Sequence, residues 1–114
     1  MGQVYHITTA DQWRRAQVTG VYRTASLDTE GFVHCSTRDQ VVRVANQRFA
    51  GWTGLVLLAV DPSRVNSPVV FENTEGGSEL FPHVYGPIGA DAVDAVAVLK
   101  PGPDGRFAFP FAAA

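Results

Sequence analysis

Gly31-Phe32-Val33-His34-Cys35-Ser36-Thr37-Arg38-Asp39-Gln40 reads as a strand that turns directly into a helix. Strand side chains alternate faces, so His34 and Ser36 share one face and Cys35 points to the other. Thr37 suits the helix N-cap, Gln40 three residues on suits its capping-box partner, and Asp39 favours the positive end of the helix dipole. The chain does almost the same thing earlier. His6-Ile7-Thr8-Thr9-Ala10-Asp11-Gln12 repeats the pattern His-x-(Ser/Thr)-Thr-x-Asp-Gln, placing His6 beside Thr8 and Thr9 at a second N-cap. Two histidines are thus expected at the ends of two strands, each beside unpaired helix N–H groups that can receive an anion.

Outward from these two joints the periodicity is plain. Residues 3–8 alternate as a strand, and 9–19 carry a modest helical stripe with Gly20 as stop. Residues 21–30 have no sustained period and read as an irregular connection. Helix 38–50 presents Val41, Ala45 and Phe49 to a core. Leu55-Val56-Leu57-Leu58-Ala59-Val60 is apolar on both parities, the mark of a strand buried on both faces. Val69 to Glu72 is a further strand, followed by the glycine loop 73–78. In 79–88, Phe81, His83 and Tyr85 share a face, and Pro82, lacking an N–H, predicts a sheet edge or an irregularity. Residues 93–99 read as another internal strand, and 106–111 as a tail able to add a short edge strand. The expectation is one α+β domain over 1–114, with a core from 3 to 100 and a C-terminal tail from 101 to 114. Its sheet is mixed, largely antiparallel and split, of about six strands with two main helices.

The chain of 114 residues is 46% hydrophobic and 18% charged, the balance of a globular domain. No apolar run approaches the roughly 20 residues of a membrane span, and the start reads as no signal peptide, so a cytoplasmic location is expected. A net charge of −2 argues against general nucleic-acid binding. Its distribution is uneven: residues 1–50 hold six arginines against four acids, and 51–114 three basic residues against seven acids. Arg14, Arg15, Arg38, Arg43 and Arg48 fall on the predicted helices, where a solvated face is the ordinary role. The lone Cys35 allows no internal disulfide.

All three histidines, His6, His34 and His83, lie on strands beside turns. Their spacing matches no metal motif, so no metal is assigned, although three converging histidines remain an alternative. Glu72 and Glu79 flank the glycine loop and are the best-placed carboxylates for acid–base or charge-stabilising work. Beside an apolar strand, such a carboxyl is expected to have a raised pKa. No nucleophile elbow, Walker or Rossmann glycine pattern is present.

Tyr5-His6-Ile7-Thr8, Trp13, Ser26-Leu27, Glu30 to Thr37, Gln40, Ala45-Asn46, Leu55 to Leu58, Glu72 and Phe81-Pro82-His83-Val84-Tyr85-Gly86-Pro87-Ile88 together resemble the bacterial domain-of-unknown-function family 952, over about residues 4–99. That family is similar in fold to the ADP-ribosyltransferase-like group, whose clefts take NAD or an ADP-ribosylated substrate. The resemblance implies ribose and phosphate binding by His6, Thr8, His34 and Ser36. It implies a catalytic carboxylate, Glu72 or Glu79, on a small anionic or nucleotide-like ligand, and NAD as cofactor or donor. His83 and Tyr85 have no counterpart in that group's pattern; His83 joins the catalytic candidates and Tyr85 the ligand-binding ones on their shared strand face. A histidine stands where that group usually stacks an aromatic ring on nicotinamide. A non-catalytic binding module on the same cleft is the alternative. Oligomeric state is not indicated.

Overall fold

The computed structural model describes residues 2–111. Eight strands and three α-helices follow in chain order: β1 (Val4–Thr9), α1 (Ala10–Thr19), β2 (Val21–Tyr22), α2 (Ala25–Thr29), β3 (Val33–His34), α3 (Arg38–Arg48), β4 (Leu55–Val60), β5 (Val69–Glu72), β6 (Phe81–Val84), β7 (Ile88–Gly89) and β8 (Val93–Leu99). They form an α+β fold of three antiparallel sheets, ordered β1-β4-β8, β3-β6-β5 and β2-β7. The expected count of six strands and two helices is therefore low. Residues 21–30, expected to be irregular, hold β2 and the five-residue α2, both shorter than any window in which periodicity is readable.

The two repeated motifs do begin helices. Thr9 caps α1, its hydroxyl accepting from the Gln12 N–H at 3.2 Å, and Gly20 ends that helix with φ +85°, a conformation that favours glycine. At α3, the Gln40 side chain reaches back to accept from the Thr37 N–H at 3.0 Å. The motifs also meet each other. Tyr5 and Ser36 exchange backbone hydrogen bonds of 2.7 and 2.8 Å, a single antiparallel bridge that joins the first sheet to the second. The bridge sets His6 against His34.

β4 is buried along its whole length because both of its faces are covered. On one face Val56, Leu58 and Val60 join Val4, Ala16, Tyr22, Val33, Val84 and Ile88. On the other, Leu55, Leu57 and Ala59 pack with Tyr5, Ile7, Val41, Ala45 and Phe107. Two expected strand positions are corrected. β8 is an edge, not an internal strand, with Val98 67% exposed; its apolar alternation reflects β propensity rather than burial. β6 is the centre of its sheet despite Pro82. The Pro82 carbonyl accepts from the Cys35 N–H at 3.0 Å. In an antiparallel strand the N–H and C=O of one residue point the same way. The missing N–H therefore falls on the β3 side, just where that two-residue ladder ends.

The described part of the tail, up to Phe111, forms no strand. Its aromatics close the second core face instead, with Phe109 edge-on to Tyr5 at 5.4 Å. Asn46 on α3 clamps it, accepting from the Phe107 N–H at 2.8 Å and donating to the Phe107 carbonyl at 3.3 Å. Asn46→Ala leaves both backbone groups without this partner, and a loss of about 1–2 kcal/mol is expected. Denaturant unfolding, with hydrogen exchange at the Phe107 amide, checks it; an unchanged exchange rate there would show that the clamp holds nothing.

Candidate functional site

A cavity of about 450 Å³ opens where the first and second sheets meet. β1 supplies His6 and Thr8, β3 supplies His34, the bridge supplies Ser36, and β6 supplies His83. The sequence repeat thus contributes one histidine and one hydroxyl from each copy.

His6 is the most constrained of these groups. Its Nδ1 donates to the His34 carbonyl at 2.5 Å, and its Nε2 lies 2.7 Å from the Tyr22 hydroxyl. That hydroxyl also lies 2.7 Å from Thr8 Oγ1. A phenol has one proton. If it goes to Thr8, Nε2 must donate and the imidazole is a cation; if it goes to Nε2, His6 is neutral. Burial decides, lowering the His6 pKa to about 4 against the partial compensation of the carbonyl. Near neutrality His6 is therefore uncharged. Burial likewise pushes Tyr22 up to about 12, so the phenol stays protonated. Both ring nitrogens of His6 are engaged by protein groups, which corrects the expectation that this imidazole bonds a ribose hydroxyl directly. It orients Tyr22 and, through it, Thr8, whose hydroxyls border the cavity.

His83 is 4% exposed. Its ring lies flat on Phe32, with centroids 3.9 Å apart and planes at 15°. Its Nδ1 is 2.8 Å from Glu72 Oε2, and the Tyr85 hydroxyl donates to the same oxygen. A carboxylate facing Nδ1 fixes the proton there, leaving the Nε2 lone pair directed away from Glu72 in a residue that lines the cavity. The Tyr85 and His83 hydrogen bonds hold the Glu72 carboxyl below the usual range, which reverses the raised pKa expected from its strand setting. The same contact raises the Tyr85 phenol. Glu72 is thus a fixed negative charge behind His83 and not a proton carrier. His34 pairs with His83 across the β3–β6 register, their rings 5.4 Å apart and edge-on, and its Nε2 meets Glu30 Oε1 at 3.1 Å.

Ser36 is buried and lines the cavity. Among the described residues no buried polar side-chain atom lacks a partner, and the Ser36 hydroxyl makes no side-chain hydrogen bond, so it faces open space. Glu79 stands apart from this group. It accepts from Gln40 at 3.1 Å and pairs with Arg43, bracing α3 against the chain entering β6. Burial pushes the Cys35 thiol up to about 12, consistent with a packing role. Among the described residues no three His, Cys, Asp or Glu side chains are grouped to hold a metal ion, and no helix is long and apolar enough to cross a membrane.

Sequence reasoning gave Tyr22 no definite role and left Phe32, Arg48, Trp52 and Glu75 outside the site. Tyr22 sits on a two-residue strand that periodicity does not reveal, and the Phe32 ring matters only through what it stacks on.

The model of a family described as "Protein of unknown function (DUF952)" matches residues 7–96. No curated protein matches the chain. Among solved structures, the crystal structure of protein CC0527 from Caulobacter crescentus is similar with a TM-score of 0.82 and 31% identity, covering 93% of each chain. The solution NMR structure of CC0527 gives a TM-score of 0.76 and 32% identity, covering 93% of this chain and 91% of that one.

Proposed function

The chain belongs to the DUF952 family, and from that premise we propose that its cavity is an ADP-ribosyltransferase-like cleft that takes NAD or an ADP-ribosylated group and transfers the ribosyl unit. The observation that carries the reading is the Glu72–His83 pair, whose histidine lines a cavity that three hydroxyls border. Thr8 and Ser36 supply hydroxyls for ribose and phosphate oxygens, and Tyr22, its one proton committed to His6 Nε2, positions Thr8. His83 serves as the base. The bond between the ribose anomeric carbon and the nicotinamide nitrogen breaks, and its electron pair leaves with nicotinamide. The acceptor oxygen forms the new bond to that carbon while His83 Nε2 takes the acceptor's proton. Glu72 is a positioning residue, holding the imidazole in the required tautomer and stabilising the imidazolium that forms, as a carboxylate behind a catalytic histidine does.

Calorimetry with NAD, ADP-ribose and nicotinamide, followed by NAD-consumption assays, tests this. His83→Gln is expected to lower turnover by about a hundredfold, the usual share of a general base. Glu72→Gln is expected to lower it by roughly tenfold, with ADP-ribose affinity kept within about twofold. Saturable binding without turnover would leave a binding module. No binding of any of the three would overturn the reading.

A further inference from the structure

Of the side chains that line the cavity, Arg48 is the only arginine or lysine among the described residues. It stands on the last turn of α3, and its Nη2 donates to both carboxylate oxygens of Glu75, at 3.2 and 2.9 Å. Glu75 also lines the cavity. We infer that Arg48 is the phosphate subsite of the cleft, with Glu75 occupying it until an anionic group of the ligand takes its place. This rests on the nucleotide-like ligand proposed above.

Three observations support the assignment. First, Glu75 is presented by a built loop. Asn73 Oδ1 accepts from the Glu75 and Gly77 N–H groups, both at 2.9 Å, and Asn73 Nδ2 donates to the Glu79 carbonyl at 2.8 Å. A Cβ on Gly77 would come within 3.0 Å of that nitrogen, so the loop closes tightly around the asparagine. Second, the carboxylate shows that negative charge is accommodated here. The C-terminus of α3 by itself repels an anion, but the guanidinium carries its charge past the helix end to where Glu75 now sits. Third, Phe49 and Trp52 also line the cavity. Their rings are edge-on at 5.3 Å and Trp52 is 50% exposed, which leaves an exposed indole on the cavity wall for a base to stack on.

The pair is weak enough to exchange. The Arg48 and Glu75 side chains are 58% and 59% exposed, and exposed ion pairs contribute little. A phosphate offers more acceptor oxygens and more charge to the same guanidinium fork. The Glu75 carboxylate then returns to water as the phosphate binds.

The test compares AMP with adenosine, which differ only in the phosphate, by calorimetry at fixed salt. AMP is expected to bind about tenfold more weakly to Arg48→Gln and several-fold more tightly to Glu75→Gln, with Arg48→Lys between wild type and Arg48→Gln. Adenosine is expected to be indifferent to all three. If AMP and adenosine respond alike to the substitutions, the subsite is wrong while the cleft reading stands. If neither binds, and NAD and ADP-ribose do not bind either, both are overturned.

Discussion

Acidification from pH 7 to pH 4 is expected to remove about 3 kcal/mol of folding stability through His6 alone. The group is neutral in the folded chain because burial lowers its pKa from 6.5 to about 4. In the unfolded chain it titrates near its ordinary value. A depressed histidine pKa means that the unfolded state binds the proton first. The stabilisation is therefore complete above about pH 6.5 and is lost as pH falls towards 4. A gap of about 2.5 pKa units is worth about 3 kcal/mol. Carboxylates contribute their own acid sensitivity, so the measurement is a comparison. Denaturant unfolding of wild type and His6→Gln across this range isolates the histidine, because glutamine has no proton to gain. The stability advantage of wild type over the variant should shrink by about 3 kcal/mol between pH 7 and pH 4. A constant gap would mean that His6 is not held neutral. The result also bears on the cleft, since a charged His6 makes Nε2 a donor and reverses the Tyr22 and Thr8 hydroxyls that border it.

The sequence showed the two strand-to-helix joints because a capping pattern is local chemistry, written within four residues of Thr9 and Thr37. It showed β4 because burial on both faces needs apolar residues on both parities. It misplaced β8, whose valines alternate as an internal strand would. Whether such a strand has one neighbour or two depends on distant chain. Pro82 misled for a related reason: the rule that proline avoids central strands assumes that both ladders continue, and the β3 ladder stops where the N–H is missing. In the candidate site, His6, Thr8, His34, Ser36 and His83 were legible as histidines and hydroxyls on strand faces, although His6 and His83 lie inside β1 and β6 and not at their ends. The choice between Glu72 and Glu79 was not. Both flank one loop, and only strand pairing sets Glu72 opposite Phe81 and within reach of His83, while Glu79 turns to Gln40 and Arg43. Arg48 looked like a helix-surface cation until the loop 73–78 folded over it.

Leu58→Ala is expected to cost about 2–5 kcal/mol, the range for a buried leucine that leaves a cavity. Leu58 is fully buried and lies opposite His6 on β1 and Val96 on β8. Its face of β4 meets Tyr22, Val33, Val84 and Ile88, which belong to the strands that carry the site. These neighbours are held in the β2–β7 and β3–β6 ladders, and Leu58 itself between β1 and β8, so the space cannot close by a small shift. A domain of this size is stable by only about 5–15 kcal/mol, so the denaturation midpoint should fall sharply with little change in slope. Leu58→Met, which nearly conserves volume, should cost less than about 1.5 kcal/mol. Val98→Ala, on the exposed edge strand, should stay within about 0.5 kcal/mol. The same substitution tests the coupling between core and cleft. The packing that Leu58 provides is part of what keeps water from the His6 ring, so loosening it should move the His6 pKa back towards 6.5. The acid-linked loss measured against His6→Gln should then be smaller in the Leu58→Ala background than in wild type. If Leu58→Ala destabilises the chain while that loss stays at about 3 kcal/mol, the burial that keeps His6 neutral does not depend on the packing that Leu58 provides.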